Sequence, residues 1–154
     1  MRKKIGIYGH SFGGGAALSM CKDGCIKAGL ALDGYFRGAI KAEKPFFMFF
    51  VEGRYEKDES LQGLWENSSV AYMAIVNGSA HYDYTDLPIL PPHFAPNIPK
   101  NLIPGFGKIS GKRLVDIVNK FTVAFFNVYL KGENIEELLS LGDDFEEVLF
   151  YYKF

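Results

Sequence analysis

The sequence predicts an α/β fold: a mainly parallel sheet of about four strands flanked by helices, in a single domain over residues 1–154. Three observations carry that prediction. Short apolar runs alternate along the chain with helix-like stretches, and the first run is stopped by glycine and followed directly by small helix formers. The run PFFMFFVE is continuously hydrophobic, as a strand covered on both faces must be. At 154 residues, 48% of them apolar, the chain can bury one core and is too short for two ordinary ones.

The elements follow in order. KIGIY, read as a buried strand over residues 4–8, leads through Gly9-His10 into SFGGGAALSMC, a tight turn and then a helix. AGLAL at 28–32 is a second strand, ended by Asp33-Gly34, and Pro45 opens the third. Residues 58–67 form a helix, and VAYMAIVNG is the fourth strand. Six of the seven prolines then fall between Pro88 and Pro104, in a long irregular apolar loop. From Ser110, an N-cap, GKRLVDIVNKFTVAFFNVYLKG repeats apolar residues at three- and four-residue spacing and stops at Lys131-Gly132. The acidic, amphipathic tail gives one short helix and an extended end.

Composition excludes several functions. A net charge of −1 offers no basic stripe for nucleic acid, so small or apolar partners are expected. The longest apolar runs are shorter than a membrane span, and no transmembrane segment is expected. Cys21 and Cys25 lie four apart near a helix end, as buried thiols on one face; without a surrounding His or Cys pattern they make a poor metal site, and no metal is expected. The N-terminus has no signal-peptide character, which favours a cytoplasmic location if Met1 is the natural start.

Gly9-His10-Ser11-Phe12-Gly13 fits G-x-S-x-G between a predicted strand and a predicted helix. A nucleophilic serine must project above the carboxyl end of a strand on a sharp turn, crowded enough to demand glycine on both sides. The helix that follows aims its N-terminus at the site, so the Phe12 N–H can stabilise an oxyanion. The nucleophile needs a base, and the base an orienting acid, in the chain order Ser, Asp or Glu, His. Of the three histidines, His81 lies just past the fourth strand, whereas His10 sits on the turn itself and His93 inside the proline-rich loop. Asp33 ends the second strand; Asp83 and Asp86 are the alternatives, placed to hold the loop. His10 is expected to pack or hydrogen-bond locally and, with Tyr35, Phe36 and Leu87, to border the substrate; the loop from Leu87 to Phe106 either lines an acyl pocket or packs over the last helix.

GHSFGGGAA, LALDG, the strand opened by Pro45, NGSAHYDYTD and FTVAFFNVYLKG resemble, in order and spacing, the C-terminal half of the α/β-hydrolases related to platelet-activating factor acetylhydrolase and dienelactone hydrolase. The resemblance covers about residues 3–132 and implies Ser11 as nucleophile, Asp33 as acid and His81 as base, in an esterase of short-acyl or lipid esters with no metal or organic cofactor. After LALDG the chain departs from the family's usual Trp-containing turn, with Gly34-Tyr35-Phe36-Arg37 instead. In the family the elbow strand lies mid-sheet, and a second oxyanion N–H comes from a loop after an earlier strand. The sequence holds neither, and loss of one such donor typically costs on the order of 100- to 1000-fold in turnover. The first strand is therefore expected at an unpaired edge, with dimerisation or pairing to an N-terminal partner chain to cover it. The alternative function is a truncated or split hydrolase fragment, inactive alone and acting as an assembling module.

Overall fold

The computed structural model describes residues 4–38, 41–90 and 102–154. Five strands form one sheet in the order β1 (Ile5–His10), β2 (Ile26–Leu32), β3 (Phe46–Val51), β4 (Ala71–Val76) and β5 (Val148–Lys153). The first four are parallel, and β5 runs antiparallel to β4. The extended end of the tail is thus a fifth strand. Its alternation, with Val148 and Phe150 turned to the core and Leu149 and Tyr151 exposed, is that of a strand with one covered face.

Helices lie on both faces. α1 (Phe12–Met20) and α2 (Glu59–Asn67) cover one, while α3 (Gly111–Phe126) and α4 (Glu136–Asp144) cover the other. Because side chains alternate along a strand, β3 supplies both cores: Phe46, Met48 and Phe50 pack beneath α1 and α2, and Phe47 and Phe49 beneath α3. Leu114, Ile117, Phe121 and Phe125, at three- and four-residue spacing, form the apolar stripe of α3. The helix starts where the sequence predicts, the Ser110 hydroxyl accepting from Arg113 N–H, and a last wider turn, Asn127–Lys131, ends at Gly132 with φ of 80°. Asp58 caps α2 in the same way, accepting from Ser60 and Leu61 N–H.

Two expectations need correction. The first strand is read from its composition as buried, whereas β1 lies at the sheet edge, the position expected from the family resemblance, with β2 as its one described neighbour and Tyr8 67% exposed. Cys21 and Cys25 do not share a buried helix face: α1 ends at Met20, so Cys21 caps it inside the core while Cys25 is exposed in the following turn. Burial pushes the Cys21 thiol up to about 11, as befits a small apolar filler.

The sheet register positions the site. Gly9 pairs with Ala31 and His10 with Leu32, so β1 and β2 end at the same level; Leu32 pairs with Phe49, and Val51 with Val76. Ser11 N–H donates to Leu32 C=O at 3.0 Å and Asp33 N–H to Phe49 C=O at 2.9 Å. Residues just beyond four successive strands therefore gather along one carboxyl edge.

Candidate active site

Ser11 occupies the turn between β1 and α1 with φ of 56° and ψ of −120°. Asp33, at the end of β2, has φ of 43°. Both lie in the left-handed half of backbone space that non-glycine residues avoid, and they are the two non-glycine residues with positive φ among those described. As N-cap of α1, Ser11 makes no side-chain capping bond. Its hydroxyl instead lies 3.1 Å from His81 Nε2.

His81 opens a short 3-10 turn after β4, His81–Tyr84. Its Nδ1 is 2.5 Å from Asp33 Oδ2, a carboxylate oxygen that can only accept, so Nδ1–H donates, and Nε2 faces the Ser11 hydroxyl. The Asp83 carboxylate holds this turn, with Oδ2 accepting from Ala80 N–H at 2.8 Å and Gly107 N–H at 2.7 Å. The Tyr84 phenol donates to Phe50 C=O at 3.1 Å. Burial pushes that phenol far up, so it remains a donor.

His10 is turned toward His81. Its ring centroid is 4.5 Å from that of His81, and its Nε2–H donates to the His81 C=O at 3.0 Å. Burial, outweighing that backbone bond, lowers the His10 imidazole below its ordinary value, so it is neutral at pH 7. The local packing expected of His10 is present. Tyr35 is half-exposed, its ring edge-on to the 77% exposed Phe12 at 5.3 Å. Leu87 is also exposed. Phe36, expected beside the substrate, is 3% exposed and packs edge-on against Phe46 and Phe50; the chain after Gly34 dives into the core beneath α1, where an aromatic ring is best buried. His93 and residues 91–101 of the proline-rich loop lie outside the described residues.

The glycines of the turn are unequal. A Cβ on Gly9 would meet the Gly13 C=O at 2.3 Å, and one on Gly15 the Tyr35 C=O at 2.2 Å. A Cβ on Gly13 would meet nothing within 4 Å, contrary to the expectation that the turn leaves room only for glycine at both Gly9 and Gly13. Gly9→Ala should therefore force the turn apart and slow covalent labelling of Ser11 by about 100-fold, since displacement near 1 Å is enough for that. Gly13→Ala should label within a few-fold of the parent chain; equal rates for the two variants would refute the steric argument.

Arg54, absent from the sequence prediction, completes the site. It follows β3 at the same carboxyl edge, and its guanidinium donates from Nη1 to Asp33 Oδ1 at 2.5 Å and from Nη2 to Gly34 C=O at 2.7 Å. Asp33 is thus 3% exposed with a partner on each oxygen. No sequence motif marks Arg54, because its link to Asp33 exists only through β2–β3 pairing; the available signal was its place just past the neighbouring strand. Among the described residues no group of His, Cys, Asp or Glu converges as metal ligands would, and no helix is long and apolar enough to cross a membrane.

The family model described as platelet-activating factor acetylhydrolase, isoform II, matches residues 1–143. The chain belongs to this family. Platelet-activating factor acetylhydrolase of Cavia porcellus is 27% identical over 93% of this chain and 34% of that protein. The platelet-activating factor acetylhydrolase of Canis lupus familiaris is 26% identical over 84% of this chain and 30% of its own length. The chain thus spans about a third of the length of these acetylhydrolase relatives.

Proposed function

We propose that the chain is a serine hydrolase of carboxylic esters carrying short or lipid-borne acyl groups. The observation that carries this reading is the continuous path from the Ser11 hydroxyl to His81 Nε2 at 3.1 Å and from His81 Nδ1 to buried Asp33 at 2.5 Å. Ser11 Oγ attacks the ester carbonyl while His81 Nε2 takes its proton, and Asp33 orients the ring and stabilises its charged form. The oxyanion that develops is met by the Phe12 N–H, a first-turn donor that helix geometry leaves without an intrahelical partner. His81 then passes the proton to the departing alkoxide, leaving acyl-Ser11. Water, deprotonated by His81, releases the acid and restores the serine.

The relatives are named as acetylhydrolases of platelet-activating factor, which supports acetyl or similarly small acyl groups. A mixed cleft of about 670 Å³ begins at His10, with Tyr8, Leu32, Ile89, Val118 and Phe126 as apolar lining and Asp86 and Asn119 among its polar groups, room for the apolar part of such an ester. A fluorophosphonate should add a single phosphonyl group, seen by intact mass, to the parent chain and none to Ser11→Ala. A folded parent chain that stays unlabelled sinks this reading.

One observation favours a second reading, in which the chain acts only once another polypeptide, or a second copy, completes the sheet: β1 is an exposed edge among the described residues. Labelling by a monomer in sedimentation would exclude it.

A further inference from the structure

We propose that Arg54 is a positioning residue that keeps His81 in its neutral, proton-accepting form by sharing the charge of Asp33. This inference deepens the hydrolase reading and rests on it. A carboxylate as buried as Asp33 needs compensation by cations or donors, and it has two claimants. His81 Nδ1 holds Oδ2 at 2.5 Å, and Arg54 Nη1 holds Oδ1 at the same distance. Arg54 is itself fixed, by its second bond to Gly34 C=O, by the Phe50 ring lying 5.5 Å from its guanidinium carbon, and by Asp58 Oδ2 at 3.9 Å.

With Arg54 in place the negative charge is already balanced, so His81 gains little by taking up a proton at rest. Without it, Asp33 is left buried with His81 as its sole partner of opposite charge, and the imidazole closes on it as an ion pair. A base that is already protonated cannot accept the Ser11 proton. The other groups facing His81 do not supply the balance. From the β1 turn come Ser11 and His10, and His10 is held neutral by burial. From its own turn come Tyr82, with its ring 5.5 Å away, Tyr84, whose phenol donates to Phe50 C=O, and Asp83, whose charge has the sign of Asp33 and is bonded to backbone N–H groups. Arg54 is the cation of this cluster among the described residues.

Two unit charges on either side of one carboxylate lie roughly 6 Å apart, and at an effective dielectric constant of about 20 such a charge moves a neighbour's proton uptake by on the order of one pH unit or more. The test follows the His81 ring signals by NMR against pH in the full chain, assigned with His10→Asn and His93→Asn. Arg54→Gln should move the His81 transition to higher pH by about one unit, a tenfold change in proton affinity, while Arg54→Lys, which keeps the charge but not the fork, stays close to the parent. At neutral pH, labelling of Ser11 in Arg54→Gln should fall by about two- to fivefold and recover as pH is raised.

An unchanged or lower transition in folded Arg54→Gln overturns the proposal, and so does a Lys variant that shifts as far as Gln. If the Gln variant does not fold, Arg54→Lys carries the test: a parent-like transition is the expected result, and a raised one refutes the charge argument. Because the ring signals do not require Ser11 to react, an unlabelled parent chain would remove the hydrolase reading while leaving this result readable.

Discussion

His81→Ala should lower the rate of ester turnover and of fluorophosphonate labelling by about 10⁴-fold or more, with the fold intact. Without the imidazole Nε2, the Ser11 hydroxyl has no acceptor for its proton at 3.1 Å, and a neutral hydroxyl is a weak nucleophile. The residual rate would come from the Phe12 N–H and from substrate binding, which outlast the loss of any one member of such a set. The fold should survive because the side chain is 37% exposed and its removal opens no core cavity. Removing it does leave Asp33 with Arg54, a partner sufficient to compensate a buried carboxylate. Steady-state kinetics beside thermal melting would check both halves. Loss of less than about tenfold in a folded variant would show that His81 is not the base.

Phe47→Ala should be the most damaging single truncation for stability, at about 3–5 kcal/mol. Phe47 is fully buried on β3 and touches rings from three other elements: Tyr72 on β4 at 5.8 Å, Phe121 and Phe125 on α3 at 5.7 and 5.6 Å, and Phe150 on β5 at 5.8 Å. It also stacks on Phe49 at 4.7 Å. These partners are anchored by backbone on separate elements, so they cannot collapse together into the space left, and the cavity cost adds to the lost burial. Denaturant unfolding should show a lower midpoint at unchanged slope. A cost below about 1 kcal/mol would mean that the aromatic cluster repacks freely, contrary to the argument from its anchoring.

The alternation of apolar runs with helical periods was enough to place β1 to β4, α1, α2 and α3, because each element announces itself within its own span. Ser110 is a cap whose role is local, and it is found at work as such. Ser11, Asp33 and His81 could be picked out for a related reason: Ser11 and Asp33 directly follow strands and His81 comes within a short turn after one, and parallel strands deliver their ends to one edge. The extended tail was harder, since VLFYYK becomes a strand only by pairing with β4, some seventy residues earlier.

The sequence by itself determined the layer order of the fold and three residues that could share an edge, since both follow from local periodicity and chain direction. Only the tertiary structure decided the rest: that Phe36 is core rather than pocket, that Gly13 has space beside it while Gly9 has none, and that Arg54 grips Asp33. Each of these depends on the distance between atoms far apart in the chain. Such distances are set by strand register and by the close packing of two cores, which no short window of sequence contains.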